Sequence, residues 1–221
     1  MQSDTQKSDN GHSWWLPTML LAALVVWTVL VFSGALTRFD EGLVMALRNT
    51  DNSSVPIGPE WVTPAAKAAT HLADSLPMVV AAVLVLLWLL WRRRKQLPLA
   101  AAVSIGGIYL LNPLLKLVFG RARPELVEQL VHAASNSYPS GHALRSAVLF
   151  AVLCLIARAW PGRGLATVLA PLAVFLIVAV GASRVILGVH WPSDIVASWL
   201  MVALWLTYWW PRLAPKAATN T

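Results

Sequence analysis

The chain has 221 residues, of which 57% are hydrophobic and only 12% charged, and its mean hydropathy is +0.63. An apolar excess of that size excludes a soluble domain with a polar surface and points to an integral membrane protein. A net charge of +7 does not make the chain a nucleic-acid binder, because the basic residues collect at the ends of apolar runs and in a few polar clusters.

Residues 1–13 read as a disordered polar tail. The apolar run from about Trp14 to Leu36 predicts a first membrane-spanning helix, left uncleaved because its amino-terminal flank lacks net positive charge. A polar connection over 37–67 includes an interfacial helix with Phe39, Leu43, Val44 and Leu47 on one side, and the breakers Pro56, Pro59 and Pro64. The second span, about Ala68 to Trp91, stops at the basic run Arg92-Arg93-Arg94-Lys95. Spans three to six follow at about Leu97 to Phe119, His142 to Trp160, Leu165 to Ala182 and Pro192 to Trp210, and residues 212–221 form a second tail.

The fold class is therefore all-α: a polytopic membrane protein of six transmembrane helices over residues 14–211, with short interfacial helices on the outer face. With both termini inside, Lys7, residues 92–95, Arg158, Arg163, Arg212 and Lys216 all fall on the cytoplasmic side, as the positive-inside bias requires. The connections between spans three and four and between spans five and six then emerge together on the opposite face. Many of the twelve tryptophans, Trp14, Trp88, Trp160 and Trp209 among them, flank apolar runs where amphipathic rings sit at the headgroups. The single cysteine, Cys154, lies in an apolar run and reads as core packing.

Three polar clusters occupy the outer connections. Lys116 and Arg123 are seven residues apart, about two helical turns, so both face one spot if the helix continues to Pro124. Either residue alone also suits a basic side chain snorkelling to the headgroups. In Tyr138-Pro139-Ser140-Gly141-His142, Ser140 suits a helix cap and Gly141 lets an anion approach the unpaired amides of a helix start, though a plain cap with an interfacial histidine fits equally well. The third cluster, Ser183 to Asp194, holds Arg184, His190 and Asp194; four residues apart, His190 and Asp194 can meet, the carboxylate fixing the tautomer and leaving the other ring nitrogen free to attack. Converging cations, a capped helix start and two histidines describe an enzyme that binds a tetrahedral anion and attacks it.

The pattern Lys116-x6-Arg123-Pro124, then Pro139-Ser140-Gly141-His142, then Ser183-Arg184-x5-His190-x3-Asp194 resembles the three-part signature of the type 2 phosphatidic acid phosphatase superfamily, in type, order and spacing. The resemblance implies a metal-independent lipid phosphatase in which His190 is the nucleophile and forms a phosphohistidine, Asp194 orients it and His142 protonates the leaving oxygen. It also implies that Lys116, Arg123, Ser140, the Gly141 amide and Arg184 hold the phosphate. Fixed cations and amides stabilise a phosphoryl group in transfer without a cofactor or metal, so none is expected. Arg145, three residues after His142, suits either a second phosphate of a diphosphate or a structural pair.

Outside the signature, Arg121 reads as substrate-attracting or snorkelling, His71 and Asp74 as a structural pair, and residues 125–137, with Leu126, Val127, Leu130 and Val131 at helical spacing, as an amphipathic cover over the site. The expected partners are a lipid phosphate or diphosphate, undecaprenyl diphosphate first, and membrane lipids, with no nucleic acid and no protein partner. The expected location is the inner (plasma) membrane with the site facing the periplasm or exterior. A lipid phosphotransferase using the same histidine is the rival reading, and a non-catalytic lipid carrier a more distant one.

Overall fold

The computed structural model describes residues 14–94, 96–160 and 164–214; the tail at 1–13, Lys95, Arg163 and Lys216 lie outside the described residues. Among the described residues eight helices follow one another: α1 (Trp15–Phe32), α2 (Thr37–Ala46), α3 (Val62–His71), α4 (Ser75–Trp91), α5 (Leu97–Phe119), α6 (Gly141–Arg158), α7 (Gly164–Ile186) and α8 (Pro192–Leu213).

Helix α6 is the hub, packing on α4, α5, α7 and α8. Its Leu144, Val148, Val152 and Ile156, spaced by four, form a stripe that buries against Leu89, Leu97, Ile105 and Val202 of its neighbours. Helix α1 sits at the rim on α8. Leu110, Leu114, Leu117 and Val118 of α5 form an outward stripe that stays exposed, which is tolerable where hydrocarbon is the solvent.

Four helices, α1, α5, α6 and α7, are long and apolar enough to cross a membrane, and α3 with α4 makes a fifth candidate as a pair bent by 46°. The second span is thus not the continuous helix expected over 68–91: it breaks at Leu72 to Asp74. Helix α8 has 22 residues, but Ser193, Asp194, Ser198 and Thr207 dilute its apolar content, so length and composition alone do not make it a sixth crossing.

The expected amphipathic cover at 125–137 is irregular chain rather than helix. Its apolar residues find partners one at a time: Val127 packs with Val44 and Val185, while Leu130 and Val131 pack on Leu187 and Val189. The Leu130 amide donates to the Leu187 carbonyl at 3.0 Å, which ties this segment to the turn after α7. The interfacial helix forms as α2, with Val44 buried and Phe39 and Leu43 exposed.

At the end of the bundle formed by the α4 and α6 carboxyl termini, Trp88 stacks on Trp160 at 4.8 Å, and Arg94 lies 4.5 Å over the Trp160 ring. Arg212 of α8 lies 4.6 Å over Trp14. Aromatic rings and cations therefore gather at that end, and the three sequence clusters gather at the other.

Candidate active site

The carboxyl ends of α5 and α7 and the amino ends of α4, α6 and α8 meet at one end of the bundle, and each sequence cluster occupies one of these termini or the loop beside it. Pro192 at the first turn of α8 holds the chain so that Asp194, at the third helical position, accepts from the Trp191 amide at 3.0 Å. The same oxygen, Oδ2, lies 3.4 Å from His190 Nδ1. His190 precedes the helix instead of sharing a helical face with Asp194, but the pairing expected from their spacing is made. A hydroxyl that the sequence did not single out, Ser137 Oγ, also donates to Asp194 Oδ2 and lies 3.4 Å from His190 Nδ1.

The turn that carries His190 depends on Gly188, whose φ of +73° is costly for any side chain. A Cβ there would come within 2.7 Å of the Glu128 carbonyl. Beneath this turn the buried Arg48 donates to the Ile186 carbonyl at 2.7 Å.

With Nδ1 engaged by Asp194, His190 Nε2 is the free nitrogen, and Nη1 of Arg123 lies 3.3 Å from it. His190 is 1% exposed. Burial first, and then the charges of Arg123 and Arg184, pull its pKa from the ordinary imidazole range down to about 3 against the opposite pull of Asp194. The ring is therefore neutral at physiological pH, the form whose ring nitrogen keeps a lone pair.

Lys116 and Arg123 do meet, though not along one helix. Helix α5 ends at Phe119, and the two side chains converge through Ser135, whose Oγ accepts from Lys116 Nζ at 2.9 Å and whose carbonyl accepts from Arg123 Nε at 2.7 Å. Arg184, in the last turn of α7, which runs a turn beyond the expected end of span five, donates to Thr70 Oγ1 at 2.6 Å. Its Nε is buried with no hydrogen-bond partner among the described residues. Lys116 lies within electrostatic reach of Arg123, Arg145 and Arg184. Four cations drawn from one loop and three helices thus share one space.

Ser140 caps α6 as expected, its Oγ accepting from the Ala143 amide at 3.5 Å. A Cβ on Gly141 would lie 2.9 Å from the Asn112 amide nitrogen and 3.2 Å from Arg145 Nη1, so the glycine is what lets these groups close over the helix start. His142 Nε2 pairs with Asp74 Oδ1 at 3.0 Å, and Arg145 Nη2 lies 3.4 Å from His142 Nδ1. Arg145 also donates from Nε to the Ala73 carbonyl at 3.1 Å.

Two sequence readings change. Arg121 is neither snorkelling nor free to attract substrate: its guanidinium bridges two buried carboxylates, Asp194 Oδ1 at 2.5 Å and Asp40 Oδ2 at 2.7 Å. Asp40, from α2, accepts in turn from the Ser193 amide at 2.9 Å and the Ser193 hydroxyl at 2.5 Å, so the interfacial helix is pinned to the start of α8. Asp74 is not confined to its pair with His71 at 2.8 Å, since it also takes His142. The only sequence signals for these roles were an aspartate inside an amphipathic helix and an aspartate near the outer start of an apolar span. Among the described residues no group of three or more His, Cys, Asp or Glu side chains is placed to hold a metal ion.

A cationic socket with two imidazoles, each on a carboxylate, at one end of an apolar bundle defines a membrane enzyme of phosphate transfer chemistry. The known proteins that this chain resembles narrow the class. The model of the PAP2 superfamily matches residues 97–216, more than half of the chain, and the chain belongs to that superfamily. Phosphatidylglycerophosphatase B of Bacillus subtilis is 26% identical over 185 residues, 81% of this chain and 86% of that protein. An undecaprenyl-diphosphatase of Sulfolobus acidocaldarius is 30% identical over 129 residues, 55% of this chain and 57% of that protein. The crystal structure of a transmembrane PAP2 type phosphatidylglycerolphosphate phosphatase from Bacillus subtilis superposes with a TM-score of 0.78 at 25% identity, over 91% of this chain and 98% of that one. The protein is a multi-pass membrane lipid phosphatase.

Proposed function

We propose that this enzyme hydrolyses the terminal phosphate of a lipid diphosphate or phosphate ester, with undecaprenyl diphosphate as first substrate, through a phosphohistidine on His190. The observation that carries the reading is the neutral, buried His190 with its free Nε2 turned toward Arg123, inside a group of four cations. His190 Nε2 forms the P–N bond as the P–O bond to the lipid breaks; the bonding pair goes to the lipid oxygen, which takes its proton from His142. Water then attacks the phosphohistidine, giving a proton to His142 as the P–N bond breaks and phosphate leaves. Lys116, Arg123, Arg184, Ser140 and the Gly141 amide hold the equatorial oxygens, and Asp194 steadies the charge that His190 acquires. Side-chain cations carry the charge that a metal would otherwise carry, so the reaction is metal-independent. Arg145, beside His142, adds a contact for a second phosphate.

A cavity of about 600 Å³ between α1, α5 and α8 supports a long hydrocarbon substrate. It runs along α5 from Ile108 to Phe119, roughly 16 Å at helical rise. At its site end Phe119 packs on Tyr138 at 4.9 Å, and Thr28 shares a 2.7 Å hydrogen bond with the Tyr138 hydroxyl, immediately before Pro139 and Ser140. Val25 and Val29 on its wall are exposed, so the groove is open to the bilayer side. The reading is of a six-span inner-membrane protein, α8 being the sixth crossing, in a single phosphatase domain over 14–211. Its site faces the periplasm or exterior, opposite the Arg92, Arg94 and Arg212 end.

The test is phosphate release by the purified protein in detergent from isoprenyl diphosphates, phosphatidylglycerol phosphate, phosphatidic acid and lipid A. Undecaprenyl diphosphate is expected to give the highest kcat/KM, with activity intact in excess EDTA and inhibited by vanadate. Activity lost to EDTA and restored by a divalent ion overturns the metal-free mechanism, and a requirement for an acceptor lipid makes the enzyme a phosphotransferase.

A further inference from the structure

Asp74 occupies the position from which a short acidic side chain usually caps a helix, immediately before α4, with φ −61° and ψ 154°. Its carboxylate makes no cap hydrogen bond. Both oxygens are turned instead onto imidazoles: Oδ1 to His142 Nε2 at 3.0 Å and Oδ2 to His71 Nδ1 at 2.8 Å. The contact with His142 joins positions 68 residues apart and exists only because the second span breaks between α3 and α4, which swings Asp74 over the start of α6.

The charges around His142 make this contact matter. Its side chain is 18% exposed, and the guanidiniums of Arg145, on its own helix, and Arg184, at the end of α7, both act on it. Two fixed cations disfavour a third positive charge, so an imidazolium in that place needs a counter-charge. Asp74, on the α3–α4 break, is the carboxylate in contact with it, and His71 on α3 shares that carboxylate from the solvent side, its side chain 67% exposed. With Nε2 held by Asp74, the nitrogen that would serve the substrate is Nδ1, which Arg145 Nη2 approaches at 3.4 Å.

We propose that Asp74 is a positioning residue for leaving-group protonation: it orients His142 and supports its protonated form, as Asp194 does for His190. The two halves of the reaction then each run on an imidazole–carboxylate pair. This rests on the reading of His142 as the acid, and the experiment separates the two. For each variant kcat/KM, which reports only the steps up to release of the alcohol, is measured on an alkyl phosphate with a poor leaving group and on an aryl phosphate whose phenolate leaves without a proton.

His142→Asn is expected to lose about a hundredfold or more on the alkyl substrate and far less on the aryl one. Asp74→Asn is expected to show the same contrast at about tenfold to a hundredfold on the alkyl substrate, smaller because the carboxylate is half-exposed, with partial recovery in Asp74→Glu. Equal losses on both substrates, or none, in Asp74→Asn while His142→Asn keeps its contrast overturn the role of Asp74 alone. If His142→Asn shows no contrast, the reading of His142 as acid falls, and the role of Asp74 with it. Inhibition of Asp74→Asn by vanadate at the concentration that inhibits the wild type excludes a misfolded site as the cause of any loss.

Discussion

Replacing Arg121 by leucine removes the one guanidinium that bridges Asp40 and Asp194, whose side chains are 1% and 0% exposed. Two carboxylates are then left buried with their shared cation gone, and breaking a buried pair in this way costs about 3–5 kcal/mol. In a domain of this size that lowers the melting temperature by on the order of ten degrees. Phosphate release falls as well, by at least about a hundredfold, because the carboxylate that sets the His190 tautomer loses its anchor. The sharper test is a double-mutant cycle in detergent, with melting and SDS-induced unfolding as readouts. In the Arg121→Leu background, Asp40→Asn neutralises one stranded charge and is expected to restore about 1 kcal/mol or more, although Asp40→Asn alone destabilises by taking one of its two counter-charges from Arg121 and one of two acceptor oxygens from Ser193. Simple additivity of the two losses, or an Arg121→Leu protein that melts like the wild type, refutes the bridged arrangement.

Burial holds His190 neutral in the fold down to about pH 3, whereas the unfolded chain takes up that proton near its ordinary value of about 6.5. The unfolded state therefore binds more protons between these limits, and stability falls as pH drops from about 6.5 toward 3; melting curves of His190→Asn should show a shallower acid loss than wild type. Above pH 6.5 this group makes no difference. Arg184→Met removes a buried donor whose Nε has no partner among the described residues, and should cost about a hundredfold to a thousandfold in kcat/KM for every lipid phosphate tested; an effect confined to one lipid contradicts a role in holding phosphate. Leu111→Trp fills the groove beside α1 and α8, displacing two or three methylenes at about 0.8 kcal/mol each, so the KM of a long-chain substrate should rise roughly thirtyfold while a short-chain water-soluble phosphate is unaffected. Equal changes for both chain lengths remove the groove from the account.

The candidate site residues were legible because phosphoryl transfer demands particular side chains at fixed offsets from helix ends, and a charged residue among apolar runs is conspicuous. Lys116, Arg123, Ser140, His142, Arg184, His190 and Asp194 come together at one end of the bundle. What holds them was hidden because its partners are remote in the chain: Arg121 and Asp40 are 81 residues apart, and Asp40 and Ser193 are 153 apart. No local periodicity encodes such a pair, and Arg121 viewed alone has the form of an ordinary interfacial arginine. Helical spacing misled at 126–131, where Val127, Leu130 and Val131 serve separate neighbours along an irregular path. The second span misled in the other direction, since its apolar content continues across a break that brings Asp74 onto His142, a contact that hydropathy does not record. Helix α8 shows the same limit: Ser193 and Asp194 at its site end and Thr207 to Arg212 at its other end both lower its apolar content.

A covalent bond between phosphorus and His190 is what separates this mechanism from direct attack by water. Rapid acid-free quenching of the purified enzyme with substrate labelled in the terminal phosphate should trap a protein-bound phosphate that is stable to base, labile to acid, absent from His190→Asn and assigned by mass spectrometry to His190. Label on another residue, or full turnover with no labelled protein under conditions that trap an authentic phosphohistidine enzyme, contradicts it.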